Sequence, residues 1–208
     1  TTRNGNIDGA QPTLNDPQYM NICVEELGGS KTIRKRWIAG FDLFAAPIVG
    51  RPLKASDTVI SAELWAEVIG TNGTTGFTVD VNRIVRTDWE YTQATWNIYK
   101  TANNWSTAGA DHNGNDYSTP FASFASPTAT GDQKITDQLV SITNDAITNR
   151  SGLLLMRWKA NDESAVDHIF GAYADPDNYP TQKAARLIVT YESPQPGPTL
   201  MGLGVGII

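Results

Sequence analysis

Across residues 60–68 the chain alternates without a break. Ile60, Ala62, Leu64, Ala66 and Val68 fall on one side of an extended backbone, and Ser61, Glu63, Trp65 and Glu67 on the other. A period of two suits a strand with one buried face and excludes a surface helix, whose apolar stripe returns about every 3.6 residues. The pattern predicts a half-buried antiparallel strand. The same period recurs in Trp37, Ala39 and Phe41, in Phe77, Val79, Val81 and Val85, over 151–160 and 166–173, and in Ala185, Leu187, Val189 and Tyr191. Asn72-Gly73 is a hairpin-type turn signal and is expected to join the strand at 60–68 to the one that begins at Phe77. The runs 151–160 and 166–173 are expected to pair with each other. Only 136–148 has helical spacing, with Leu139, Ile142, Ala146 and Ile147 three and four residues apart behind a Thr136-Asp137 start. Many short strands, Gly- and Pro-rich turns and the lack of a dividing linker point to one all-β sandwich with a short helix against one end.

A chain of 208 residues can bury a core without covalent staples. Cys23 is the only cysteine, so no internal disulfide and no thiolate metal site is possible, and its place between Ile22 and Val24 marks it as a small buried hydrophobe. A net charge of -6 argues against a nucleic-acid partner, because phosphate binding needs clustered cations. The one basic run, Lys31, Arg34, Lys35 and Arg36, leads straight into Trp37-Ile38-Ala39 and is expected to be a solvated strand edge. The first residues lack the succession of basic, apolar and small residues that marks a secretory signal. A start at Thr1 is consistent with removal of such a signal or of an initiator Met.

After residue 192 the character changes. The expected organisation is a sandwich over 1–192 and an arm over 193–208. Pro194, Pro196 and Pro198 remove backbone donors and favour an extended spacer. Beyond them Leu203, Val205 and Ile207 alternate with Gly202, Gly204 and Gly206, a strand with branched side chains on one face and bare backbone on the other. The arm is far shorter than the roughly 20 apolar residues needed to span a bilayer. Strand addition to another subunit is the expected role of Leu200, Met201, Leu203, Val205, Ile207 and Ile208.

The middle of the chain carries Trp89-Glu90, then Ala94-Thr95-Trp96-Asn97, then Trp105-Ser106-Thr107-Ala108-Gly109-Ala110-Asp111. In that order these segments resemble the DNRLRE domains, which are similar to carbohydrate-binding modules of bacterial and archaeal surface proteins. The order extends upstream through Phe41-Asp42-Leu43 and Ile60-Ser61-Ala62-Glu63-Leu64. Downstream it continues through 132–148, Gly152-Leu153-Leu154-Leu155 and Ala184-Ala185-Arg186-Leu187-Ile188-Val189-Thr190-Tyr191, so the resemblance covers about residues 15–192. It implies a jelly-roll-like antiparallel β-sandwich, generally non-catalytic, of the kind repeated in surface proteins, joined to polysaccharide enzymes or found in virions.

Catalytic motifs are lacking. There is no Gly-x-Ser-x-Gly turn and no His-Glu-x-x-His, and the two histidines are His112 and His168. Asp167 beside His168 would point to the opposite face of a strand. Asp111, Asn113, Asn115 and Asp116 set hard oxygens at nearby positions around Gly114, either a loose structural calcium site or an ordinary polar turn. Asp175-Pro176-Asp177-Asn178 is a second loop of that kind. Among the aromatics, Trp65 stands on the polar face of its strand, and Trp105 and Tyr117 flank the acidic loop, so these three are the candidates for stacking on a sugar. Trp37, Trp89, Trp96 and Trp158 are expected in the core. The expected function is that of a non-enzymatic structural protein, in a virion or at a cell surface. It would be a homo-oligomer or part of a capsid or filament lattice, tethered by its C-terminal arm. The alternative is a carbohydrate-binding module.

Overall fold

The computed structural model describes residues 2–9, 15–16, 19–27, 31–45, 50–73, 76–90, 93–164, 168–173, 184–194 and 203–207. The strands are β1 (Thr2–Asp8), β2 (Asn15–Asp16), β3 (Tyr19–Leu27), β4 (Lys31–Asp42), β5 (Thr58–Gly73), β6 (Thr78–Ile84), β7 (Ile98–Lys100), β8 (Asn103–Asn104), β9 (Tyr117–Ala125) and β10 (Gly131–Thr136). The helix α1 (Val140–Asn149) follows, then β11 (Leu153–Ala160), β12 (His168–Tyr173), β13 (Arg186–Glu192) and β14 (Leu203–Ile207). The main sheet runs β14-β13-β5-β12-β3-β4-β11-β6-β9, with β10 on β5, β1 on β4 and β2 on β1, and its ladders are antiparallel. β7 and β8 form a separate ribbon.

This is the expected all-β sandwich with one short helix. β4 carries the sheet from one layer to the other, since residues 31–35 pair with β3 and residues 37–42 with β11. Met20, Ile22 and Val24 from β3, Ala62, Leu64, Ala66 and Val68 from β5, Val79 and Val81 from β6, and Met156 and Trp158 from β11 belong to one apolar cluster. Trp37 and Trp158 are cross-strand partners with ring centroids 5.4 Å apart. Cys23 is buried, as a small hydrophobe would be.

Neither expected hairpin forms among the described residues. β5 pairs with β13, β10 and β12, whereas β6 pairs with β11 and β9. Asn72 and Gly73 lie inside β5, opposite Ile169 and His168, and the later Gly76 takes the positive φ of 71°. β11 and β12 likewise belong to different ladders. Alternation records which face is buried and says nothing of the neighbour on either side, so consecutive strands that cross between layers look like a hairpin in sequence.

β5 also departs from the strict alternation read at its start. Its ladder with β13 shifts between Thr190 and Tyr191, which pair with Ser61 and Val59 and leave Ile60 without an opposite residue. Its ladder with β12 passes over Ile69 in the same way. These are bulges, where one strand holds an extra residue and the alternation changes phase. Val59 is therefore buried, while Ile60 and Ile69 are 49% and 41% exposed.

α1 begins four residues later than the spacing predicted, because Thr136 ends β10 and its Oγ1 accepts from the Gln138 N–H at 3.2 Å. Ile142, Thr143, Ala146 and Ile147 face inward, toward β5 and β11. Gly152 closes the helix with φ 80° and donates its N–H to the Ala146 carbonyl at 2.9 Å, a left-handed C-terminal cap.

A second apolar cluster covers the opposite face of β4, β6 and β11. Ile38, Ile84 and Leu155 meet Trp89, Ala94, Tyr99, Trp105 and Ala110 from residues 85–116. Both faces of β4 and β11 are thus buried, and the basic run corrects accordingly. Arg36 lies in the sheet interior at 2% exposure rather than on a solvated edge.

Candidate functional site

The polar loop after Trp105 is bound to the sheet by arginines. Arg36 on β4 and Arg157 on β11 stand on the same face as Ile38 and Leu155, and Arg157 is fully buried. Arg36 donates from Nη1 to the Gly109 carbonyl at 2.6 Å and from Nη2 to Asp111 Oδ2 at 3.0 Å, and its Nε meets Glu163 Oε1 at 2.8 Å. Arg157 Nη1 reaches the Ala110 carbonyl at 2.6 Å and Asp111 Oδ1 at 2.8 Å, while its Nη2 reaches Asn82 Oδ1 at 2.9 Å. Asp111 therefore bridges two buried cations. Burial pushes its carboxyl upward, but the attraction of Arg36 and the hydrogen bond from Arg157 prevail and hold it below the usual carboxylate range. Burial and the nearby Arg36 charge together lower the pKa of Arg157. Tyr117 lies under the Arg157 guanidinium at 3.7 Å and Trp96 under that of Arg36 at 4.8 Å.

Asp116 is the second anchor of this loop and is fully buried. Its Oδ1 accepts from the Ser106 N–H at 2.9 Å and from Arg86 Nε at 3.0 Å. Its Oδ2 accepts from the Thr107 and His112 N–H groups at 3.0 and 3.2 Å. Burial again acts to raise the carboxyl pKa, and the backbone donors with Arg86 more than offset it. Asn113 and Asn115 are exposed. Among the described residues no group of three or more His, Cys, Asp and Glu is placed to hold a metal ion. Of the set Asp111, Asn113, Asn115 and Asp116, both carboxylates accept hydrogen bonds from protein donors. Residues 175–178 lie outside the described residues.

Of the three stacking candidates, Trp105 is corrected to the core. It is 4% exposed, packs on Tyr99 at 5.6 Å and donates its Nε1–H to the Thr95 carbonyl at 2.9 Å. Sequence placed it beside the acidic loop, but residues 85–116 cover the second core and bury it there. Tyr117 is half-buried, with Arg157 against its ring. Trp65 is likewise half-buried, on the polar face of β5. Lys134 of β10 and Arg186 of β13 both pair with Trp65, so one stands on each flank. The Trp65 Nε1–H donates to Glu63 Oε2 at 2.9 Å, and the Arg186 guanidinium is 5.7 Å from the ring centroid. Asp132 holds Arg186 in a two-pronged pair at 2.8 and 2.9 Å.

At the end of the same sheet, β14 lies antiparallel to β13 of its own chain. The strand expected at 203–207 is present, and its described neighbour is β13 of the same chain. Ile207, Val205 and Leu203 stand in register with Ile188, Thr190 and Glu192, the half-exposed row of β13, and Gly206 and Gly204 with its buried row, Val189 and Tyr191. Ser193, the first residue of the expected spacer, donates its hydroxyl to Asp57 Oδ1 at 3.0 Å, and Asp57 also pairs with Arg51 at 2.9 Å. Leu200, Met201 and Ile208 lie outside the described residues. The sequence reading missed the Arg36–Asp111–Arg157 network, in which Asp111 is 75 residues from Arg36 and 46 from Arg157, and the Asp116 hub. No helix among the described residues is long and apolar enough to cross a membrane. Neither a family model nor a curated protein matches this chain.

Proposed function

We propose that this chain is a non-catalytic structural protein that attaches within a larger assembly, such as a virion or a cell-surface filament, through its C-terminal strand. The observation that carries this reading is the position of β14. It ends the strand order, and among the described residues it pairs only with β13. An edge strand offers a row of backbone donors and acceptors to another strand. The likeness to DNRLRE domains agrees with a non-enzymatic role. Removing all residues after Pro194 should abolish co-sedimentation with the native assembly, while the full chain sediments with it. Undiminished attachment by the truncated protein would refute the reading.

A second reading, a carbohydrate-binding module, rests on Trp65 alone. A half-buried indole flanked by Glu63, Lys134 and Arg186 offers an apolar plane bordered by hydrogen-bonding groups, the combination that binds a sugar ring. On a glycan array the Trp65→Ala variant should lose signals that the parent protein gives. No signal from the parent protein removes this reading.

A further inference from the structure

Resting on the assembly reading, we propose that the edge of β14 away from β13, unpaired among the described residues, pairs antiparallel with β14 of a second copy of this chain, about a two-fold axis at Val205. The edge strands β9 and β10 are defended against such pairing. β9 carries Pro120, and its ladder with β6 shifts register twice. β10 carries Asp132 and Lys134, and its ladder with β5 also shifts. Proline, charge and bulges are the usual means by which edge strands avoid other chains. β2 is only two residues long. β14 has none of these devices: Leu203-Gly204-Val205-Gly206-Ile207 contains no charge and no proline, and its ladder with β13 is unshifted.

The order of residues in β14 indicates the occupant. It reads the same in both directions by class, branched residues alternating with glycine about a central valine. Antiparallel pairing about Val205 would set Leu203 opposite Ile207 of the second copy, Gly204 opposite Gly206, and Val205 opposite Val205. Every branched residue then meets a branched residue, and every glycine a glycine. Cross-strand apolar pairs of this kind stabilise a ladder, and a symmetric interface requires a surface that complements itself. The contact is a short one, so a concentration-dependent equilibrium is expected.

Sedimentation of the intact chain tests this. The mass should rise with concentration from 22.6 kDa toward twice that value. Val205→Lys and Val205→Glu should each remain monomeric, because like charges would face each other across the axis, and an equimolar mixture of the two should restore the dimer. That rescue separates pairing at Val205 from mere loss of β14 from the sheet, which mixing cannot repair. A dimer that persists when the chain is cut after Pro194, or a mixture that stays monomeric, overturns the proposal. If the intact chain is monomeric at every concentration yet needs its last residues for co-sedimentation, the self-pairing is wrong and the assembly reading stands. If co-sedimentation also survives the cut, both fall.

Discussion

Asp116 is the residue on which the loop over the second core depends. One buried carboxylate accepts from three backbone N–H groups and from Arg86. Replacing it with alanine strands those donors, each at about 1–3 kcal/mol when left unpaired, so Asp116→Ala should cost about 3–5 kcal/mol in urea unfolding. A loss below about 1 kcal/mol would show that water replaces the carboxylate. Because arginines and backbone donors already fill the loop, a chelator should leave the unfolding midpoint of the parent protein unchanged. A lowered midpoint would restore calcium to Asp111, Asn113, Asn115 and Asp116. Asp111 and Asp116 also set an acid limit. Both are held below the ordinary carboxylate value in the folded protein, so the folded state binds their protons less readily than the unfolded chain does. Their stabilisation is complete above about pH 4, the unfolded value, and is lost as pH falls through the lower folded values. Unfolding midpoints measured from pH 7 to pH 2 should stay level and then drop on the acid side. A midpoint that rises on acidification contradicts the sign.

At the scale of an element, β5 separates what alternation predicts from what pairing decides. Alternation puts Ile60 in the core row, but the bulge opposite Thr190 and Tyr191 puts Val59 there instead. Ile60→Thr should therefore change stability by no more than about 0.5 kcal/mol, whereas Val59→Ala should cost about 1.5–3 kcal/mol. Equal costs in a denaturation series would mean that the bulge is absent in solution. β9 was hidden for a related reason. Its sequence, with Ser118, Thr119, Pro120 and Ser123, has the composition of a loop, although Ala122 and Phe124 are buried. As an edge strand it needs one apolar row and tolerates a proline.

For the whole molecule, the core closes before the arm begins, since Leu187, Val189 and Tyr191 already complete the apolar cluster. Ser193 is worth retaining for its bond to Asp57. A chain cut after Pro194 should stay folded, with near-ultraviolet circular dichroism unchanged and a Tm within about 4 °C of the parent, the shift that about 1 kcal/mol produces in a protein of this size. A larger fall would make β14 part of the core rather than an appendage. The class of fold, the core-facing Trp37, Ala39 and Phe41 of β4, Val79 and Val81 of β6 and Leu187, Val189 and Tyr191 of β13, the helix and the strand character of 203–207 were legible in residue order, because burial and backbone preference are local and repeat with the pleat. So was the place of Trp65 on the polar face of β5. Long-range packing set which strands are neighbours, that residues 85–116 fold over a second core and take Trp105 with them, that Arg36 and Arg157 are buried around Asp111, and that β14 lies on β13. Each of these depends on contacts between residues far apart in the chain, where the partner is chosen by shape and charge across the fold, and no periodicity records that choice.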